Sequence, residues 1–175
     1  AVGEATKAIA AMGMIAKNNL ARGVDQLLTF DPSQFAEIDE DEEALDQFAD
    51  TADHFLIGLS KVVESEGEDR QVDMLMQTVP NFERVGDYAT NLVELSQRLQ
   101  EENAQLSEAA KQELNVIGEA VNEILSMTVH AFETDNIEEA KQIEPLEEVI
   151  DDMVMILRDR HTKRLKSGDC SVGGG

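Results

Sequence analysis

The sequence predicts an all-α protein, an antiparallel bundle of long helices arranged as two tandem units. Three observations carry this reading. Apolar residues recur at three- and four-residue steps almost throughout the chain, the mark of amphipathic helices. Of 175 residues 42% are apolar but only 4% aromatic, with no Trp and three Pro, a composition rich in helix formers. The pattern of the first stretch also returns 105 positions later (114 − 9).

The elements follow in order. A first stripe runs Ile9, Met12, Ala16, Leu20, Val24, Leu27, and Asp31-Pro32-Ser33 breaks it. A second runs Leu45, Phe48, Ala52, Phe55, Leu59, Val62. The acidic run Asp39 to Glu43 precedes it and is expected in a first turn, opposite the positive end of the helix dipole. Gly67 is read as an interruption, after which Val72, Leu75, Val79, Phe82, Gly86, Ala89, Val93 form the third stripe. The fourth is Leu114, Ile117, Val121, Leu125, Val129, Phe132, starting near Ser107 and Glu108. Thr134-Asp135-Asn136 offers a cap for a fifth stretch, interrupted by Pro145 and continuing through Ile150, Met153, Leu157 and Leu165. At 1.5 Å per residue such helices are roughly 40 Å long, and short connections between them mean antiparallel neighbours.

Under the displacement, Ile9 falls on Leu114, Met12 on Ile117, Ala16 on Val121, Val24 on Val129 and Phe48 on Met153. Glu42-Glu43-x-x-Asp46 falls on Glu147-Glu148-x-x-Asp151. Any two amphipathic helices can be slid into phase; a shared acidic motif and an unbroken register over two helices point to duplication. The division expected is 1–103 for a first three-helix unit and 104–175 for a second with two helices, its third missing from the sequence.

Charge bounds the function. Fourteen Lys and Arg stand against 37 Asp and Glu, a net −23. Such a chain repels nucleic-acid phosphates and anionic lipid, and attracts cations and basic partners. No apolar run of about 18 residues spans a bilayer, so direct membrane insertion by this segment is not expected. The single cysteine, Cys170, excludes an internal disulfide and fits a reducing compartment.

Three Glu-x-x-x-Asp pairs stand out: Glu42/Asp46, Glu83/Asp87 and Glu147/Asp151. Residues i and i+4 share a helix face, and each pair lies roughly 60–140° round from the centre of its apolar stripe. Like charges so spaced repel by a few tenths of a kcal/mol unless a cation or basic side chain lies between them. Carboxylate oxygens suit hard or borderline ions such as Mg, Ca, Mn or Fe. The plainer alternative is a set of solvated helix faces in a chain rich in acid.

The string Phe82-Glu83-Arg84-Val85-Gly86-Asp87-Tyr88-Ala89-Thr90-Asn91-Leu92 resembles the signature of the PhoU family, close to N-x-E-R-I-G-D-x-A-x-N-I. The repeated Glu-Glu-x-x-Asp resembles that family's second and fifth helices. The resemblance implies tandem three-helix bundles (antiparallel, spectrin-like) and metal held through E/D-x-x-x-D motifs. Residue by residue these are Glu83 and Asp87, then Glu42 and Asp46, and in the second unit Glu147 and Asp151. The ion implied is a divalent or trivalent one (Fe, Mn, Mg, Ca or Zn). The second unit's own E-R-I-x-D helix is not in the chain, which puts a second site in doubt. Pro80, just before the motif, departs from the family pattern and is expected to kink the helix one turn upstream of the ligands.

Asp53-His54-Phe55-Leu56-Ile57-Gly58-Leu59-Ser60 and Arg164-Leu165-Lys166-Ser167-Gly168-Asp169-Cys170 look most like the PhoU-like cytoplasmic tails of bacterial sodium/phosphate symporters. That resemblance implies a non-enzymatic regulatory domain of phosphate uptake at the cytoplasmic face of the membrane. Its partners would be the symporter's membrane domain in the same full-length chain, or a second copy in a homodimer, with no nucleic acid. The alternatives are a free-standing PhoU regulator and a structural bundle with no specific metal.

Other chemistry finds no motif. Ferritin-like di-iron sites need Glu-x-x-His on two helices, and the residues three before His54, His130 and His161 are Thr51, Met127 and Arg158. The seven Met read as core filler. The basic group Arg158, Arg160, Lys163, Arg164, Lys166 is explained by the negative end of a helix dipole.

Overall fold

A computed structural model describes residues 1–134 together with Glu148 and Met155. The described chain is all-α. Helix α1 spans Val2–Leu28, α2 Phe35–Ser60, α3 Glu66–Glu101 and α4 Glu108–Glu133. A short 3-10 turn at Pro32–Gln34 links α1 to α2.

Local chemistry sets the boundaries. Asp31 caps the 3-10 turn: its carboxylate accepts from the Ser33 N–H at 3.1 Å and the Ser33 hydroxyl at 2.6 Å, which holds that carboxyl below its usual range. Buried Gln26 braces the same turn from both sides, donating to the Asp31 carbonyl at 2.9 Å and accepting from its N–H at 2.8 Å. Ser65 accepts from the Glu68 N–H and Ser107 from the Ala110 N–H, both at 3.1 Å, so each satisfies an orphan donor at a helix start. At the end of α3, Asn103 takes the left-handed conformation (φ 53°), and the Ala104 N–H reaches back to the Leu99 carbonyl at 2.9 Å. That is a Schellman-type stop with Asn in the place glycine usually holds.

Two boundaries differ from the sequence expectation. Helix α2 already begins at Phe35, so Asp39 to Glu43 lies in its second and third turns; the Pro32 turn starts the helix early. Gly67 interrupts nothing: it sits in the first turn of α3, and the break is at 61–65. Pro80 lies on the exposed side inside α3, and the helix runs through it.

Contact pairs give the directions. Asn19 of α1 meets Ile38 of α2, and Arg22 meets Glu37 and Asp41, so α1 and α2 are antiparallel. Gly86 of α3 abuts Leu45 of α2, and the short break at 61–65 that joins the two packed helices makes this pair antiparallel too. Gly13 and Gly23 of α1 abut Phe82 and Ala89 of α3, which makes α1 and α3 parallel. Helix α4 runs against α1, with Gly118 on Val24 and Val129 on Gly13. One apolar core joins all four: Ile9, Met12, Leu45, Leu56, Leu75, Phe82, Leu125 and Phe132 are among its buried members. A smaller cluster of Val24, Leu27, Leu99 and Leu114 closes the far end.

The third stripe is buried at every position from Val72 to Val93, and the fourth throughout except half-buried Ile117. The second stripe is read less well. Phe55 is 49% exposed, and Val62 lies beyond α2 at 69%. Phe55 sits at the edge of the apolar arc, on the flank turned toward the start of α1 rather than into the core.

The 105-residue displacement carries α1 onto 107–133 (2 + 105, 28 + 105), within one residue of α4. The rest of the second unit lies outside the described residues. Among those described, no helix is long and apolar enough to cross a membrane.

Candidate functional site

Helix α2 carries nine acidic residues (Glu37, Asp39, Glu40, Asp41, Glu42, Glu43, Asp46, Asp50, Asp53) and no Lys or Arg. Its core face is Leu45, Ala49, Ala52, Leu56 and Leu59, all buried. Asp46, Asp50 and Asp53, at steps of four and three, therefore line one flank, and that flank faces α3. On α3 the buried stripe of Phe82, Gly86 and Ala89 sets Glu83 and Asp87 at its edge, facing α2.

Gly86 brings the flanks together. It sits between Glu83 and Asp87, and a β-carbon there would overlap a δ-methyl of Leu45, the residue before Asp46. A side chain at 86 would have to displace the tip of Leu45, at the level where the carboxylates meet.

The electrostatics record the crowding. The Glu83 carboxyl is pushed above its ordinary range by partial burial first, then by Asp53, Asp46, Asp87 and Asp50. Asp87 is raised in the same way, by partial burial and then by Asp46. All the charges acting on these two groups are carboxylates of like sign.

Of the six candidate residues, Asp46, Glu83 and Asp87 thus come together. Glu42 is half-buried one turn earlier on α2 and contributes to neither raised group. Glu147 and Asp151 lie outside the described residues. Asp50 and Asp53 belong to the cluster and were missed. The signal was present as Asp46-x-x-x-Asp50, but a search keyed to Glu-x-x-x-Asp passes over it.

The donor set is all carboxylate, chemistry that suits hard cations. Its geometry is not a cage: among the described residues, no three His, Cys, Asp or Glu side chains converge to hold a metal ion. His54 and His130 are exposed; of the methionines expected as core filler Met12 is buried, whereas Met127 and Met155 are 46% and 59% exposed and do not fill the core.

The family model for the PhoU domain matches residues 9–96, which is 88 of 175 positions (96 − 9 + 1). The chain belongs to the PhoU family. Comparison with curated proteins and with solved structures returned no match. The matched span runs from the second turn of α1 to the last turns of α3 and contains the whole α2–α3 carboxylate face. The PhoU family is a regulatory rather than a catalytic one, and membership suggests a role in regulating phosphate uptake.

Proposed function

We propose that this PhoU-family chain is the cytoplasmic regulatory domain of a sodium-dependent phosphate symporter, coupled to the membrane domain of the same full-length protein. The observation that carries the phosphate role is the PhoU match over 9–96. The symporter context rests on the Asp53–Ser60 run and the Arg164–Cys170 segment, which look most like symporter tails. A free-standing PhoU regulator is the second reading. Reading the coding sequence upstream of Ala1 separates them: several apolar runs of about 20 residues support the tail. Their absence assigns the free-standing form.

The reading includes a cation at the α2–α3 face, with Asp46, Glu83 and Asp87 as the residues that would hold it and Asp50 and Asp53 beside them. Its support is charge chemistry: two carboxylates raised by like-signed neighbours on facing helices. The side chains would have to turn toward one point for coordination, since as placed they form no cage. Elemental analysis of the purified protein tests it. Loss of bound metal in a Glu83→Ala/Asp87→Ala double variant supports the assignment, and unchanged metal content overturns it.

A further inference from the structure

On the other flank of α2, away from the carboxylate face, an open apolar groove of about 280 Å³ lies against the first turns of α1. Ala5 and Ala8 of α1 face Phe48, Ala52 and Phe55 of α2 across it, with Glu4 at its rim. The alanines leave room for a backbone to come close, while the two phenylalanines, seven positions apart, form one wall. Phe55 is 49% exposed, so a large apolar side chain of this wall stands half in solvent.

We infer that this groove docks a cationic amphipathic helix of a partner protein. Its apolar lining, with Phe48 and Phe55 seven positions apart along one wall, matches the helix-in-groove mode, in which residues at i, i+3, i+4 and i+7 insert as anchors. The charge of the occupant follows from the rim and from the chain as a whole. Glu4 is the charged residue lining the groove, and the protein around it carries a net −23. Along the same flank of α2, toward its N-terminus, Ala44 and then exposed Glu40 continue the line of Phe48. A docked helix therefore meets apolar surface over one part of its length and acid over the next. Lys or Arg beside its apolar stripe would be complementary. A second copy of this chain would instead set −23 against −23, with Glu4 against its own image. An anionic lipid surface meets the same repulsion. The inference is independent of any cation at the α2–α3 face.

The test uses the full 175-residue protein and an 18-residue peptide of Leu and Lys with leucines at helical spacing, followed by fluorescence anisotropy. Its control is a scrambled isomer of equal charge with no apolar face. The facial peptide is expected to bind at least tenfold more tightly than the isomer. Phe55→Ala, at a half-exposed position, and Ala8→Phe, which fills the groove, leave the net charge unchanged, and each should cost about tenfold for the facial peptide alone. Circular dichroism on both variants verifies the fold, and if Ala8→Phe does not fold, Phe55→Ala decides. Equal binding of the two peptides, or facial binding indifferent to a folded Phe55→Ala variant, overturns the inference. So does binding to phosphatidylserine vesicles, or a dimer by sedimentation, that is lost on Phe55→Ala, since the groove's occupant is then lipid or a second copy.

Discussion

Gly13 of α1 and Val129 of α4 touch across the helix crossing so closely that a β-carbon on Gly13 would stand 2.9 Å from a Val129 methyl. The pair has an image. Displaced by 105, Gly13 becomes Gly118 and Val24 becomes Val129, and Gly118 meets Val24 at 3.4 Å. Contacts that exchange in this way define an isologous interface, so α1 and α4 pack about a local twofold axis. The 105-residue displacement therefore relates the two helices in space as well as along the chain.

Gly13 is the tighter member, because its missing β-carbon would also stand 2.6 Å from the fully buried Phe82 ring. Gly13→Ala should destabilise the protein by about 1–3 kcal/mol through overpacking. Gly58, near the end of α2, has no atom within 4 Å of its would-be β-carbon. There Ala should gain about 0.5–1 kcal/mol from helix propensity alone. Urea unfolding of the two variants checks the contrast, and equal signs would refute it.

The raised carboxyls predict a pH dependence. Folded Glu83 and Asp87 hold protons above the ordinary values of 4.5 and 3.8 at which the unfolded chain releases them. The folded state binds more protons in that window, so stability falls as pH rises through it and the repulsion is fully present at neutral pH. Glu83→Gln should raise the melting temperature at pH 7 and flatten its fall as pH rises above the ordinary Glu value of 4.5. A steeper profile in the variant would contradict the crowding at Glu83.

Cation binding should show the same geography. If the α2–α3 face takes up a divalent ion, adding it at about 100 times its Kd should stabilise the fold by about 2.7 kcal/mol, and chelator should reverse this. Asp46→Ala and Asp50→Ala should reduce the gain more than Glu42→Ala, since Glu42 does not act on Glu83 or Asp87. Calorimetry with each variant measures the order.

The α1–α2 pair rests on a polar clasp. Fully buried Asn19 donates to the Ile38 carbonyl at 3.1 Å, and Arg22 pairs with Glu37 at 2.8 Å and with Asp41. Asn19→Ala should cost about 1–2 kcal/mol, because its buried hydrogen bond is lost and the space is not refilled. Arg22, a quarter exposed, should cost less on truncation to Ala, about 0.5–1 kcal/mol. The two are ranked by urea midpoints.

Much of this fold was legible along the chain. The third stripe is buried at every position named, and the 105-residue repeat places α4 to within a residue. Periodicity and repetition are one-dimensional properties, and a helix buries whatever lies on its apolar arc. The first misreadings were local: Pro32 starts α2 early, and Gly67 is tolerated in a first turn where little packs against it.

What lies between helices needed the third dimension. Glu83-x-x-x-Asp87 marks a face of α3, but nothing in that string says that Asp50 and Asp53 of α2 stand opposite it while Glu42 does not. The close approach at Gly86 and Leu45 sets which turn of α2 meets which turn of α3, and so decides which carboxylates repel one another. The same rotation of α2 about its axis leaves Phe55 half in solvent, although it shares an apolar stripe with buried Ala52 and Leu59. Helical class, repeat and acidity are properties of the chain; the pairing of faces is a property of the packed core.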